Sequence, residues 1–558
     1  MNLDQSDPGR HYNPEAIARY YRRRPWHSIW RTVTVVWCFL GFILGLLWDR
    51  WRHEEGQHTP ERAAHLRRIL TRLGPTFIKV GQALSTRPDL VRQDFLNELM
   101  KLQDQLPPFS NDLAMTTIRQ EIDQDLSNIF SEISPQPVAA ASLGQVYKAR
   151  LWTGEQVAVK VQRPHLLPII SLDLYLMRWL AGWIAPWLPL NLGHDLTLIV
   201  DEFGTKLFEE IDYIHEGRNA EQFAAYFGDD PQVKVPVIYW RYTSTRVLTL
   251  EWIEGFNLND TAGIEAAGLD LNSLILVGVT SGLRQLLEFG FFHADPHPGN
   301  LFAMADGRMA FIDFGMMDQL EQGTKENLVD AVVHLINKDY DELGNDFVKL
   351  GFLTPETDVR PIIPALERVL GNAIGESVKD FNFKTITDSF SELMFEYPFR
   401  VPAKFALIIR SLVTQEGIAL TLNPSFKIVE VAYPYVARRL LNGETPAMRR
   451  RLIEILFKDD KFQWQRLENM IHIAQSDQSF DLLPTAQLGI QYLLSEEGDF
   501  LRRQILLVLT EDERLHTEEV QRLWQLVQPT IQPRRLWNAA VGALVEFSSN
   551  QVAALRQS

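Results

Sequence analysis

An H-x-D-x-x-x-x-N run followed at close range by D-F-G restricts the chemistry of this chain more tightly than any other feature. The run is His293-Ala294-Asp295-Pro296-His297-Pro298-Gly299-Asn300, and Asp313-Phe314-Gly315 begins thirteen residues after Asn300. Between them, Leu301 to Met304 and Met309 to Ile312 read as short apolar strands joined by Asp306-Gly307, a strong hairpin signal. Such a hairpin brings Asn300 beside Asp313. Metal ions on a triphosphate need hard oxygen ligands, here an Asn amide and an Asp, while a second Asp accepts or orients the attacking hydroxyl. Each piece alone turns up by chance in long chains; the joint spacing is that of a phosphotransferase. Two turn-capping aspartates and a satisfied histidine would account for the residues singly, not for their spacing.

The text upstream reads as a kinase-like small lobe. In Pro137 to Gln145, the side chains of Ala139, Ala140, Ala141, Ser142 and Gly144 are small enough for a backbone to approach phosphate closely. Val146 to Leu151 and Gln156 to Val161 then alternate as strands around Thr153-Gly154, and Val157-Ala158-Val159-Lys160 places a lysine for the α- and β-phosphates. A helix from about Asp195 to Glu210 has the apolar stripe Leu196, Val200, Phe203 and Leu207, and Glu210 falls within it. A core-facing carboxylate needs a cation, for which Lys160 is the natural partner; if the helix frays first, Glu210 stands in water. Asp212 and Glu216 follow in a dense acidic patch. Arg246 to Gly255 reads as a buried strand running into a turn, where a hinge would offer adenine the backbone of Glu251 and Trp252; a plain core strand fits equally.

With 558 residues the chain exceeds one ordinary core, and 46% hydrophobic residues can fill two or more. A formal net charge of -16 argues against a nucleic-acid footprint. The single cysteine, Cys38, rules out an internal disulfide and a cysteine-based metal site. From Thr32 to Trp48 there is no charge; arginines flank the run, and five of the fourteen tryptophans fall between Trp26 and Trp51. These are the marks of a membrane-attached helix with interfacial anchors, either spanning or interfacial, and they fit a secretory signal poorly. From Glu61 to Leu106 the pattern is helical with a break at Gly74-Pro75; beyond it Lys79, Gln82 and Thr86 form a polar stripe that, by period alone, is most simply a solvated face. After Gly315 the text is helical and lacks A-P-E, so a conventional activation segment and its protein-substrate platform are not expected.

Together the pieces resemble the AarF/UbiB family of atypical protein-kinase-like proteins, associated with prenylquinone metabolism. Four motifs carry the resemblance across roughly 61–441: Lys79-Val80-Gly81-Gln82 as K-x-G-Q, Ala139-Ala140-Ala141-Ser142 as the alanine-rich nucleotide loop, Glu210-Ile211-Asp212 as E-x-D, and the catalytic and D-F-G segments. The resemblance implies that the K-x-G-Q helix folds over the nucleotide site as a lid, turning Lys79 and Gln82 toward the acids, with Asp212 and Glu216 part of that lid region. It implies a Lys160–Glu210 pair, an alanine loop that restrains nucleotide use, ATP or ADP with Mg²⁺ or Mn²⁺ as cofactors, and a membrane lipid, a prenylquinone precursor and quinone-biosynthesis enzymes as partners. The kinase domain would lie on the cytoplasmic side.

The expected fold is α+β, a protein-kinase-like two-lobe arrangement that is mostly helical. Its parts are a basic flexible N-terminus (1–28), a membrane-associated segment (29–50), a helical K-x-G-Q extension (51–135), a kinase-like N-lobe with a small β-sheet (136–255), a kinase-like C-lobe (256–445) and a helical C-terminal extension (446–558). Expected roles are Asp295 as base or orienting residue, Lys160 on the phosphates, Glu210 positioning Lys160, and Asn300 and Asp313 on the metal. Alternatives from other classes are a nucleotide-gated lipid-binding or chaperone-like protein without phosphotransfer, and a small-molecule kinase of the antibiotic phosphotransferase type.

Overall fold

The computed structural model describes residues 11–52, 55–85, 91–102, 107–184, 196–336, 338–374 and 401–428, with short pieces at 397, 399, 431–432, 435–436, 457–458, 461–462 and 521. The chain divides into two compact units. One comprises Met1–Lys325, Phe347–Asp358 and Phe383–Phe426; the other comprises Glu326–Asp346, Val359–Asn382 and Lys427–Ser558.

The first unit opens with four helices: α1 (Pro14–Arg22), α2 (Pro25–Arg52), α3 (Glu55–Leu73) and α4 (Pro75–Leu84). Helix α1 falls within the stretch 1–28 that was expected to be flexible. Asn13 caps α1 by accepting from the Ala16 amide, and Ile17 and Tyr21 are buried against Leu166 and Ile170, apolar burial that the basic composition had hidden. Gly74, at φ +102, makes the break between α3 and α4, a backbone conformation that suits glycine.

The N-lobe sheet has the order β1 (Phe130–Ile133), β3 (Gly144–Leu151), β4 (Gln156–Gln162), β6 (Val247–Glu251), with β2 (Ala139–Ala140) added on β3, all antiparallel. Alternation along β4 sends Val157, Val159 and Val161 into a core with Tyr147 and with Ala114 and Ile118 of α5 (Asn111–Ile122). The opposite face carries Ala158 and Lys160, and beneath it α6 (Leu166–Ile184) leads to α7 (Leu196–Glu210) and α8 (Tyr213–Tyr226). Between α7 and α8 the helix breaks at Asp212, whose side chain accepts from the Ile214 amide at 3.0 Å and caps α8.

In the C-lobe, α9 (Leu271–Arg284) falls in the chain between the second and third strands of a small sheet of order β5 (Val233–Lys234), β10 (Met309–Phe311), β9 (Leu301–Ala303), β7 (Phe256–Asn257). The expected hairpin forms: Leu301 pairs with Phe311, and Gly307 takes φ +84 in the turn. Strand β8 (Phe291–His293) pairs with β11 (Met317–Gln319), closing the two catalytic segments onto each other. In the second unit, α10 (Ile363–Ile374) is amphipathic, and His334 Nδ1 lies 2.6 Å from Asp346. The long apolar helix α11 (Ala403–Leu422) returns to the first unit. Most of 446–558, expected to be helical, lies outside the described residues; what is described there includes a short hairpin, Phe457–Lys458 with Lys461–Phe462.

Candidate functional site

Lys160 reaches its partners because β4 alternation turns it away from the valine core and toward α8. Its Nζ donates to both carboxylate oxygens of Glu216, at 2.8 and 2.9 Å, and stands 3.8 Å from Asp313. This corrects the expected Lys160–Glu210 pair. Glu210 ends α7 and pairs instead with Lys79 of α4 at 2.5 Å, both side chains largely buried. The physical reason is the break at Asp212. It starts a new helix with its own phase, so Glu216, one turn in, faces the sheet. A signal was available: Tyr213, Ala220 and Phe223 form the apolar stripe of α8, and Glu216 sits inside it.

The rest of that face fixes the D-F-G segment. Asn219 donates to the Phe314 carbonyl at 3.0 Å, and Phe223 meets the Phe314 ring at 5.3 Å between centroids. Glu216, Asn219 and Phe223, at i, i+3 and i+7, thus bind Lys160, the backbone and the aromatic ring in turn. Around Gly315 the carboxylates of Asp313, Glu210 and Glu216 converge: a Cβ there would lie 3.3 to 3.8 Å from atoms of all three. Ile312 donates to the Asn300 carbonyl at 3.1 Å, so the hairpin sets Asn300 near Asp313. His293 is buried and accepts the Asp295 amide on Nδ1 at 3.1 Å, orienting the loop.

Charge in this cluster is decided by burial and by neighbours. Burial disfavours the Lys160 ammonium, but Asp313 and Glu216 outweigh it and hold its pKa well above the ordinary value. Burial also raises Asp313, yet Lys160, the Gly315 amide and His293 prevail and leave it at about 2. Glu216 is pushed up to about 7, first by burial and then by Asp313, with Lys160 opposing. An acid whose folded pKa is raised penalises the fold once ionised. The Glu216 penalty is absent below its ordinary value of 4.5, grows as pH rises, and is complete above about 7. Asp313 is ionised throughout that window. His334, raised by Asp346 against its burial, loses stabilisation in the same direction as pH climbs through its folded value. Melting temperature measured from pH 5 to 8 should therefore fall, and Glu216→Gln should flatten the part of the fall that lies below about 7; an unchanged slope would refute the assignment to Glu216.

The alanine-rich loop is a tight turn. The Ala141 amide bonds the Gly144 carbonyl at 2.8 Å, and Arg163 clamps the Ala141 carbonyl with Nε and Nη2 at 3.0 and 2.9 Å. A Cβ on Gly144 would lie 2.6 Å from the Val161 carbonyl oxygen and 2.4 Å from the Tyr213 hydroxyl, so the position admits only glycine without a shift. Ser142 is buried in this loop. On α4 Lys79 and Gln82 are both buried, and Gln82 donates to the Leu102 carbonyl at 3.2 Å, so the solvated-face reading of this stripe is overturned. Thr86 lies outside the described residues.

The hinge expectation also shifts. The Glu251 amide bonds the Val237 carbonyl at 2.8 Å and the Trp252 amide bonds the Gln156 carbonyl at 3.0 Å, so neither N–H is presented to a ligand. The Glu251 carboxylate is likewise engaged, by Lys234 Nζ at 2.7 Å. Sequence pairing ends there and the chain crosses to the C-lobe, where a Cβ at Gly255 would lie 2.6 Å from the Ala303 carbonyl oxygen.

One contact has no counterpart in the sequence reading. Arg410 of α11 places Nη2 2.6 Å from Asp295 Oδ2, with side-chain exposures of 14% and 19%. The pair joins residues far apart in the chain, so no spacing announces it; an arginine inside the apolar run Phe405–Leu420 was the available hint. Arg410, Gly315, Phe203 and Met177 help line a cavity of about 310 Å³ that reaches Lys79 and Glu210.

Residues 101–347 match the ABC1 atypical kinase-like domain, and 366–427 match the UbiB helical domain. The uncharacterized protein slr1919 of Synechocystis sp. is 68% identical over 97% of this chain and 95% of its own. In Arabidopsis thaliana, the chloroplastic proteins ACTIVITY OF BC1 COMPLEX KINASE 1 and 3 are 48% and 46% identical, over 94% and 90% of this chain and 80% and 70% of their own. The chain belongs to the ABC1/UbiB family. In this ABC1 protein, Lys160, Glu216, Asp295, Asn300 and Asp313 all fall in the kinase-like match, whereas Arg410 falls in the UbiB helical match. The fold is accordingly kinase-like, with a mostly helical frame around small sheets.

Proposed function

We propose that the chain binds ATP or ADP with Mg²⁺ or Mn²⁺ and hydrolyses the nucleotide or transfers its terminal phosphoryl group, at a membrane and in support of prenylquinone or related isoprenoid-lipid synthesis. The observation that carries the reading is the buried cluster in which Lys160 lies 2.8 Å from Glu216 and 3.8 Å from Asp313. Lys160 binds the α- and β-phosphates, and Glu216 positions it. The loop from Ala139 to Gly144 covers the phosphates, and backbone from Ile253 to Gly255 takes the adenine-facing role. Asp295 orients the attacking hydroxyl or water. Asp313, held ionised, and the side-chain amide of Asn300 are a hard-oxygen pair that fits a divalent cation whose other ligands are phosphate oxygens and water. When bound, that cation neutralises phosphate charge; positioning and charge neutralisation supply most of the catalytic gain.

The acceptor reading is supported by the cavity beside Gly315 and Arg410, whose walls toward α6 and α7 include Met177, Ile199 and Phe203. An apolar wall ending at a phosphotransfer centre suits a lipid hydroxyl better than a polar peptide. The contact of Asp295 with Arg410 favours, as a second reading, a nucleotide-gated lipid-binding module without turnover. Phosphate release in the presence of vesicles and candidate lipids separates the two. For the metal assignment, Asp313→Asn should remove the thermal stabilisation given by nucleotide plus Mg²⁺ while leaving the fold intact; full retention would sink it.

A further inference from the structure

Among the described residues three helices are long and apolar enough to cross a membrane, and Pro25–Arg52 is the most apolar of them. At 28 residues α2 would measure about 42 Å, ample for a hydrocarbon core of about 30 Å. Its neighbours argue otherwise. Arg31, Val35, Cys38, Phe42, Gly45 and Asp49 recur at helical spacing on one side, and that side is occupied by protein along its length. Arg31 bonds Asp173 of α6 at 2.7 Å and the Leu73 carbonyl at 2.8 Å; Phe42 packs with Leu70, Leu73 and Phe77; Asp49 pairs with Arg62 of α3 at 2.6 Å. Helix α3 therefore runs antiparallel beside α2, and it carries Arg62, Arg67, Arg68 and Arg72, the last two exposed.

Another side of α2 is bare. Trp26, Trp30, Trp37, Leu44, Trp48 and Trp51 repeat at the same period, about a third of a turn away on a 100° wheel, and all are more than half exposed. Arg22 and Arg23 stand exposed before the helix, and Arg50 and Arg52 at its end. We propose that α2 lies flat in the head-group region of a lipid surface, with the tryptophan stripe inserted and α3 on the aqueous side, and does not cross the bilayer. A crossing helix would drag the arginines of α3 to membrane depth, where charge is strongly disfavoured. The chemistry of the stripe fits a lipid interface: indoles prefer the head-group level, and the terminal arginines meet anionic head groups. The inference rests on the membrane attachment proposed above and decides its geometry.

The test uses the full chain with vesicles of phosphatidylcholine and phosphatidylglycerol. In a Cys38→Ser background, Trp30→Cys, Trp37→Cys, Leu44→Cys and Trp51→Cys are spin-labelled singly and their depths measured. The expected profile is flat, every label about 5–10 Å below the phosphates. A profile deepest at 37 and 44 and shallow at 30 and 51 would overturn the flat geometry while leaving attachment intact. Labels equally wet with and without vesicles, and no co-flotation, would overturn attachment as well. Labels shielded before lipid is added would mean that protein covers the stripe, and would also overturn the proposal. Unmodified protein gives a variant-free check, because lipids brominated near the head group should quench its tryptophans more than lipids brominated near the chain ends. Trp37→Glu with Leu44→Glu should weaken vesicle binding by roughly tenfold or more, with nucleotide-dependent thermal stabilisation unchanged, which keeps the outcome separate from the catalytic reading.

Discussion

Glu216→Gln should lower nucleotide-dependent phosphate release by about 10²–10³-fold, the loss seen when a preorganised charge contact is removed, while Glu210→Gln should spare that step. Lys160 is aligned by two short bonds to Glu216 and lies at 3.8 Å from Asp313. Without the Glu216 charge the ammonium swings toward Asp313, where it competes with the cation for the same carboxylate. Glu210 holds a different element: its bond to Lys79 ties α4 over the end of α7. Its loss should raise hydrogen exchange across Pro75–Leu84 and change apparent nucleotide affinity more than turnover. Both variants remove one member of a buried pair, so both should lose stability, by about 3–5 kcal/mol at most; turnover per folded molecule is the quantity that separates them. A larger turnover loss in Glu210→Gln than in Glu216→Gln would refute the pairing.

Arg410→Gln should raise basal phosphate release, by about tenfold if freeing Asp295 restores ordinary general-base assistance, the lower part of a range of about 10²–10⁴ being offset by lost order. In this structure the Asp295 carboxylate is ion-paired at 2.6 Å and largely shielded, so Arg410 occupies the oxygen that would face an attacking hydroxyl. Removing the guanidinium frees it, at a stability cost of about 1–3 kcal/mol for a carboxylate left without its partner. If Arg410 acts through Asp295, then Arg410→Gln combined with Asp295→Asn should match Asp295→Asn alone. Should Arg410→Gln reduce turnover as far as Asp295→Asn with little change in melting temperature, Arg410 would be a contributor to the transition state and not a latch.

How much was legible in the sequence follows from which contacts are local. The Asp306-Gly307 turn determined the hairpin that sets Asn300 near Asp313, and alternation in Val157 to Val161 placed Lys160 on the face away from the valine core. These are short-range consequences of turn chemistry and strand period, and one sequence suffices to read them. The apolar run of α2 and the break at Gly74 were legible for the same reason.

What the tertiary structure alone decided are choices among distant partners. Of two acids six residues apart, Glu210 and Glu216, the first was the expected partner of Lys160, and a cap at Asp212 changed the helical phase so that the second one took that place. Arg410 and Asp295 lie on separate elements brought together by packing, and no periodicity links them. The hinge amides of Glu251 and Trp252 are consumed by the chain's own backbone, which only the assembled strands reveal. For α2, hydropathy and length marked a helix apolar enough to cross a membrane, while the charged helix that packs along it came to light only in the fold. Local sequence sets which groups exist and which way a strand or helix turns them, but the partner of a buried charge is whichever opposite charge the folded chain delivers within reach, because an unpaired one is too costly to keep.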